Sequence, residues 1–108
     1  MIFTILGATG QIGSQIIQSL LELGHNVRAV SRNRDTLDTL VAKGAEPFES
    51  HLDDTKRLTD AFSDVDGAFT LIPPDLSAPN VREFMRQTSR AQIGAIQNSG
   101  INRVAILS

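Results

Sequence analysis

The sequence contains no cysteine, no tryptophan and no tyrosine. Without cysteine, disulfides, thiolate metal sites and thiol nucleophiles are all excluded. Without tyrosine, no mechanism that needs a phenol as proton donor can be completed within these 108 residues. Basic charge is not in excess either: ten Lys and Arg stand against twelve Asp and Glu, for a net charge of −2. Such a chain has no surplus cations to neutralise a phosphate backbone, so a direct nucleic-acid partner is not expected. No apolar run approaches the roughly 20 residues that span a bilayer, so no membrane partner is expected. Met1 leads straight into an apolar, β-branched segment, with no signal-peptide pattern ahead of it. The expectation is a cytoplasmic protein.

What remains is an ordinary folding composition, 41% hydrophobic and 20% charged, enough for one domain with its own core. Residues 2–6 form a short apolar run suited to a strand buried on both faces. Ile12, Ile16, Ile17, Leu20, Leu21 and Leu23 then recur at helical spacing until Gly24. A second strand follows at Val27 to Val30. A second helix runs from Thr36 to Lys43, with Leu37, Leu40 and Val41 inward. A third strand lies at Ala45 to Glu49 and a third helix at Thr55 to Phe62, with Asp54 as its cap. Residues 67–72 give a fourth strand, stopped by Pro73 and Pro74. A long helix capped by Asn80 presents Val81, Phe84, Met85, Ala91, Ala95 and Ile96 on one side, and Val104 to Leu107 gives the fifth strand.

Strict alternation of strand and helix predicts an α/β, doubly wound parallel sheet of the Rossmann type. The right-handed crossover rule selects the order 3-2-1-4-5. Pro47 then falls in an edge strand, where its missing N–H is tolerated. The opposite edge would be the apolar fifth strand, which natural proteins normally cover. Residues 1–108 are therefore expected to be the dinucleotide-binding, N-terminal portion of a longer protein, its sheet incomplete. The fifth-strand edge would be covered by further chain or by a second copy in a homo-oligomer.

Gly7, Gly10 and Gly13 recur at intervals of three in the turn between the first strand and the first helix. In a phosphate-binding turn the first glycine permits the sharp bend and the second lets backbone approach a pyrophosphate. The third lets the helix pack closely. Backbone N–H groups around Gln11 and Ile12 then face the phosphates along the helix dipole. An unliganded glycine turn is the alternative. The flanking strand, the helix and the further βα units favour the binding turn. At the end of the second strand, Ser31-Arg32-Asn33-Arg34 stands where an NAD site usually has an acid. Arg32 suits a 2′-phosphate, so NADP(H) is expected over NAD(H); a solvated basic turn is the alternative.

The loop "GATGQIG", the "VSRN" after the second strand and the closing "INRVAILS" resemble the NmrA-like group of atypical short-chain dehydrogenase/reductases. The resemblance spans the chain but only the N-terminal half or less of such proteins. It implies that Gly7, Gly10 and Gly13 hold the pyrophosphate, with Thr9, Gln11 and Ile12 between them. It also implies that Arg32 meets the 2′-phosphate, and that backbone from Thr70 through Leu71 and Ile72 to Pro73 lies along the adenosine and nicotinamide-side ribose. Where relatives often place an Asp to meet the adenine, this sequence has His51 before Leu52. Either His51 faces the adenine, with Leu52 beside it, or Asp53 takes that place; as surface residues, Asp53 is a solvated turn and Asp54 a cap.

The Tyr-x-x-x-Lys pair of ordinary short-chain dehydrogenases is absent, and no catalytic residue is named by the sequence; Ser108 stands near where relatives place a Ser or Thr, or is simply a terminal residue. The implied functions are two. One is an NADP(H)-dependent reductase that passes hydride to a small electrophile such as a quinone; the chain alone would be inactive. The other is a non-enzymatic NADP(H)-sensing regulatory protein. His25 reads as a turn residue. Arg82, Arg86 and Arg90 form a polar stripe, solvated or available for docking. The substrate is not legible.

Overall fold

Apolar runs too short for a helix are stable when they pair side by side under helical cover, and five of them do so here. The computed structural model describes residues 1–71 and 81–107, apart from the side chains of Leu71, Val81, Phe84 and Leu107. The strands are β1 (Ile2–Ile5), β2 (Asn26–Ser31), β3 (Glu46–Glu49), β4 (Gly67–Leu71) and β5 (Val104–Leu107). All pairings are parallel, in the order β3-β2-β1-β4-β5. The helices are α1 (Gln11–Glu22), α2 (Asp38–Ala42), α3 (Thr55–Phe62) and α4 (Val81–Ser99). Pro47 sits in β3, opposite Ala29 of β2 and at the sheet edge, as its chemistry requires. Ile72, Pro73, Pro74, Asn80 and Ser108 lie outside the described residues.

Because side chains of a strand alternate between faces, each strand feeds two cores. Ile5, Val27 and Ala29 join Ile17 of α1 and Leu37 and Leu40 near α2 in one layer. Leu6, Val30 and Ala68 join Leu58, Ala61 and Phe62 of α3 and Ala95 of α4 in the other. Burial of a side chain such as Leu58 or Ile17 contributes about 1.5–3 kcal/mol each. These layers fix the carboxyl ends of β1, β2, β3 and β4 along one side of the molecule.

Three local details differ from the periodic pattern. The second helix begins as a 3-10 turn over Arg34–Leu37 before α2 proper. The Asn33 side chain accepts from the Asp35 N–H at 3.0 Å, and Thr36 Oγ1 donates to the Asn33 carbonyl at 2.6 Å. These bonds tighten the entry. Val41 is 39% exposed, Ile12 50% and Leu23 74%, so none is a core residue. Both helices turn a narrower face inward than their apolar residues suggest. On α4, Thr88 and Gln92 are buried alongside Ala91 and Ala95.

Candidate functional site

The loop from Gly7 to Gly13 stands at the carboxyl end of β1, where the sheet order reverses between β2 and β4. Ligands of open parallel sheets bind at such a crevice. Leu6 N–H donates to the Phe69 carbonyl of β4 at 2.9 Å, and Ala8 N–H to the Val30 carbonyl of β2 at 3.3 Å. The loop is thus tied to both neighbouring strands. Gly7 has φ 67°, a left-handed backbone that side chains disfavour. Its carbonyl accepts from the Gly10 N–H at 3.0 Å, closing the bend.

Gly13 is needed for a different reason. A Cβ there would collide with the Gly7 carbonyl oxygen and come within 2.9 Å of its carbon, so the helix can approach the turn this closely only as glycine. Gly10 caps α1 in extended conformation without any side-chain hydrogen bond. The first N–H groups of α1, at Gln11, Ile12 and Gly13, have no intrahelical partner, and α1 has no acidic residue in its first turn. Thr9, Gly10, Gln11 and Ile12 are exposed while Gly13 is buried. The turn therefore presents backbone donors, a positive dipole end and no side-chain bulk at Gly10, a setting suited to an anion.

Beside it, the end of β2 is a tightly bonded turn. Ser31 Oγ lies 3.0 Å from Thr36 Oγ1 and accepts from the Asn33 N–H at 3.4 Å. Arg32 and Arg34 project from this turn into solvent, and among the described residues neither has an ion-pair partner. The β3–α3 loop comes next. Ser50 N–H donates to the Ser31 carbonyl at 2.9 Å, joining the two loops. His51 is exposed, and Leu52 is half-buried against the core of Leu6 and Val30. Asp53 is exposed. Asp54 caps α3, accepting from the Arg57 N–H at 3.1 Å.

Thr70 is fully buried in β4. Phe69 packs with the α1 core and Ala68 with the α3–α4 core, so alternation turns Thr70 toward α4. Its hydroxyl has no hydrogen-bond partner, and neither has that of buried Thr88. Leu71 ends β4 in register with Leu107, and Ile72 lies outside the described residues. The fold thus gathers Gly7 to Gly13, Arg32, His51, Leu52 and Thr70 along one side of the sheet. Sequence reasoning did not find Thr88; its spacing of three before Ala91 was the available signal.

Residues 2–105 match the NmrA-like family. The chain belongs to that family. Among related sequences, the oxidoreductase dmxR7 of Cryptosporiopsis sp. is 31% identical over 101 residues, covering 88% of this chain and 42% of that protein. Among solved structures, the Citrobacter sp. triphenylmethane reductase superposes with a TM-score of 0.84 at 22% identity, covering 100% of this chain and 37% of that one. It has also been solved with NADP(H). The NADPH-dependent quinone oxidoreductase of Escherichia coli gives a TM-score of 0.79 at 24% identity, covering 96% of this chain and 35% of that one. The NmrA-like chain thus has the fold of Rossmann-like reductases and spans 42% or less of these relatives' length. No helix among the described residues is long and apolar enough to cross a membrane.

Proposed function

We propose that this chain is the NADP(H)-binding portion of an NmrA-like reductase, which passes hydride from NADPH to a small electrophile such as a quinone. The observation that carries the cofactor choice is Arg32. It is an exposed cation with no ion-pair partner among the described residues. It stands at the end of β2, whose Val30 carbonyl is hydrogen-bonded to the glycine loop. The Gly10 to Gly13 turn fits a pyrophosphate because its backbone donors are free and its glycines leave room. Arg32 fits a 2′-phosphate because a guanidinium pairs with phosphate through short, charge-assisted hydrogen bonds.

In this reading the residues divide the work. Gly7, Thr9, Gly10, Gln11, Ile12 and Gly13 hold the pyrophosphate, Arg32 the 2′-phosphate, and His51 with Leu52 the adenine. Backbone at Thr70, Leu71 and Ile72 lines the ribose side. NADPH supplies the hydride when bound; the protein supplies orientation and electrostatics. The substrate-binding part belongs to sequence beyond these 108 residues, a proposal supported by the greater length of the relatives.

The absence of tyrosine favours one competing reading, a protein that binds NADP(H) to regulate a partner without turnover. The test is to titrate the chain with NADPH by calorimetry. The longest polypeptide from the same reading frame is then assayed for quinone-dependent loss of reduced-nicotinamide absorbance. Binding with turnover supports the reductase, and binding without turnover across a panel of quinones and other small electrophiles supports the sensor. Absence of NADPH binding refutes both.

A further inference from the structure

Phe48 projects from β3 into the core beneath α3, and two guanidinium groups stand over its ring. The Arg57 carbon lies 4.3 Å from the ring centroid and the Arg28 carbon 5.7 Å, both within cation–π range. Each cation is also fastened to backbone carbonyls. Arg57 donates from Nε and Nη2 to the Glu49 carbonyl at 3.2 and 2.8 Å. Arg28 donates from Nη1 to the carbonyls of Asp60 and Ala61 at 3.2 and 3.0 Å. The first turn of α3 is therefore tied to the end of β3, and its last turn to β2.

Between these ties lies the loop 50–54, which carries His51 and Leu52. Ser50 joins that loop to Ser31 by the 2.9 Å backbone bond. Ser31 in turn organises the turn that presents Arg32. We propose that Arg57 is a positioning residue for the adenosine end of the dinucleotide, acting by anchoring Glu49 and so fixing loop 50–54 against the end of β2. This inference rests on the NADP(H) reading above.

The geometry assigns Arg57 a local task rather than a global one. α3 is held on the sheet by buried Leu58, Ala61 and Phe62 and is capped by Asp54. Arg57 is exposed, so truncating it opens no cavity and strands no buried charge. Exposed cations of this kind contribute little to global stability. What the side chain fixes is the start of a surface loop, and such segments open locally unless tied.

The test compares Arg57→Ala and Arg57→Lys with the unaltered chain in two measurements. One is amide hydrogen exchange in the free protein. The other is binding of two probes, 2′,5′-ADP for the adenosine half and reduced nicotinamide mononucleotide for the other half. Arg57→Ala is expected to speed exchange about tenfold in 50–54 and 31–36, leaving the unfolding midpoint nearly unchanged. It is expected to weaken 2′,5′-ADP about fivefold to tenfold and to leave the mononucleotide alone. Arg57→Lys, which keeps a cation over Phe48, should recover part of the loss. Unchanged exchange in 50–54, or equal loss for both probes, overturns the positioning role. Failure of the unaltered chain to bind either probe refutes the NADP(H) reading and this role with it, whereas retained binding with unchanged exchange refutes the role alone.

Discussion

A methyl group added at Gly13 meets the Gly7 backbone, whereas one added at Gly10 lies 3.2 Å from the Gly7 carbonyl oxygen, a tight but adjustable contact. The two glycines therefore predict different losses. Gly13→Ala should destabilise the fold itself by about 1–3 kcal/mol, the usual cost of overpacking, read as a lowered midpoint in urea. Gly10→Ala should leave the midpoint nearly unchanged and weaken NADPH, because its methyl occupies the space that a pyrophosphate needs. Unaltered NADPH affinity in Gly10→Ala would count against a phosphate-binding turn. Arg32 makes the sharper test of cofactor choice. A charge-assisted hydrogen bond is worth about 1.5–3 kcal/mol, so Arg32→Ala should weaken NADPH about tenfold to a hundredfold and leave NADH unchanged in parallel titrations. Equal loss for both dinucleotides would refute the 2′-phosphate assignment.

Among the elements, α3 shows how a helix boundary becomes part of a site. Asp54 is both its cap and the last residue of loop 50–54, so removing the carboxylate frays the same segment that holds His51 and Leu52. Asp54→Ala should cost about 0.5–2 kcal/mol, measured by chemical denaturation; a change below the resolution of the method would show that Arg57 and the buried face alone hold the helix end. This cap was legible in the sequence, as were the strand order, the edge position of Pro47 and the glycine turn, because each follows from a local rule of backbone chemistry. The 3-10 entry at Arg34–Leu37 was not legible, since it depends on which hydrogen bonds Asn33 and Thr36 choose once β2 has ended. Nor could periodicity separate exposed Ile12 and Val41 from buried Ile17 and Leu40, because an apolar residue at the margin of a helical face scores the same on either side of it. The pairing of Arg57 with Phe48 and Glu49 exists only after α3 has folded back over β3.

For the whole molecule, β5 is the outermost of the described strands and carries its apolar side chains into solvent. Ile106 is 58% exposed, and Ala105 is exposed beside it. A bare apolar edge pairs readily with another strand, and a lysine on it suppresses that pairing. The 108-residue chain should therefore self-associate, and Ile106→Lys should hold it monomeric, as read by sedimentation velocity over a range of concentrations. A chain that stays monomeric at the highest concentration would refute edge pairing. Ile106 is in register with Thr70, which links the edge to the candidate site. Any strand laid against β5, from further along the polypeptide or from a second copy, also walls the end of β4, where Thr70 and Leu71 face the expected path of the cofactor. Covering the edge should accordingly strengthen NADPH binding as well as suppress association. The affinity of the associated form, compared with that of the Ile106→Lys monomer, measures this coupling; equal affinities would separate the edge from the site.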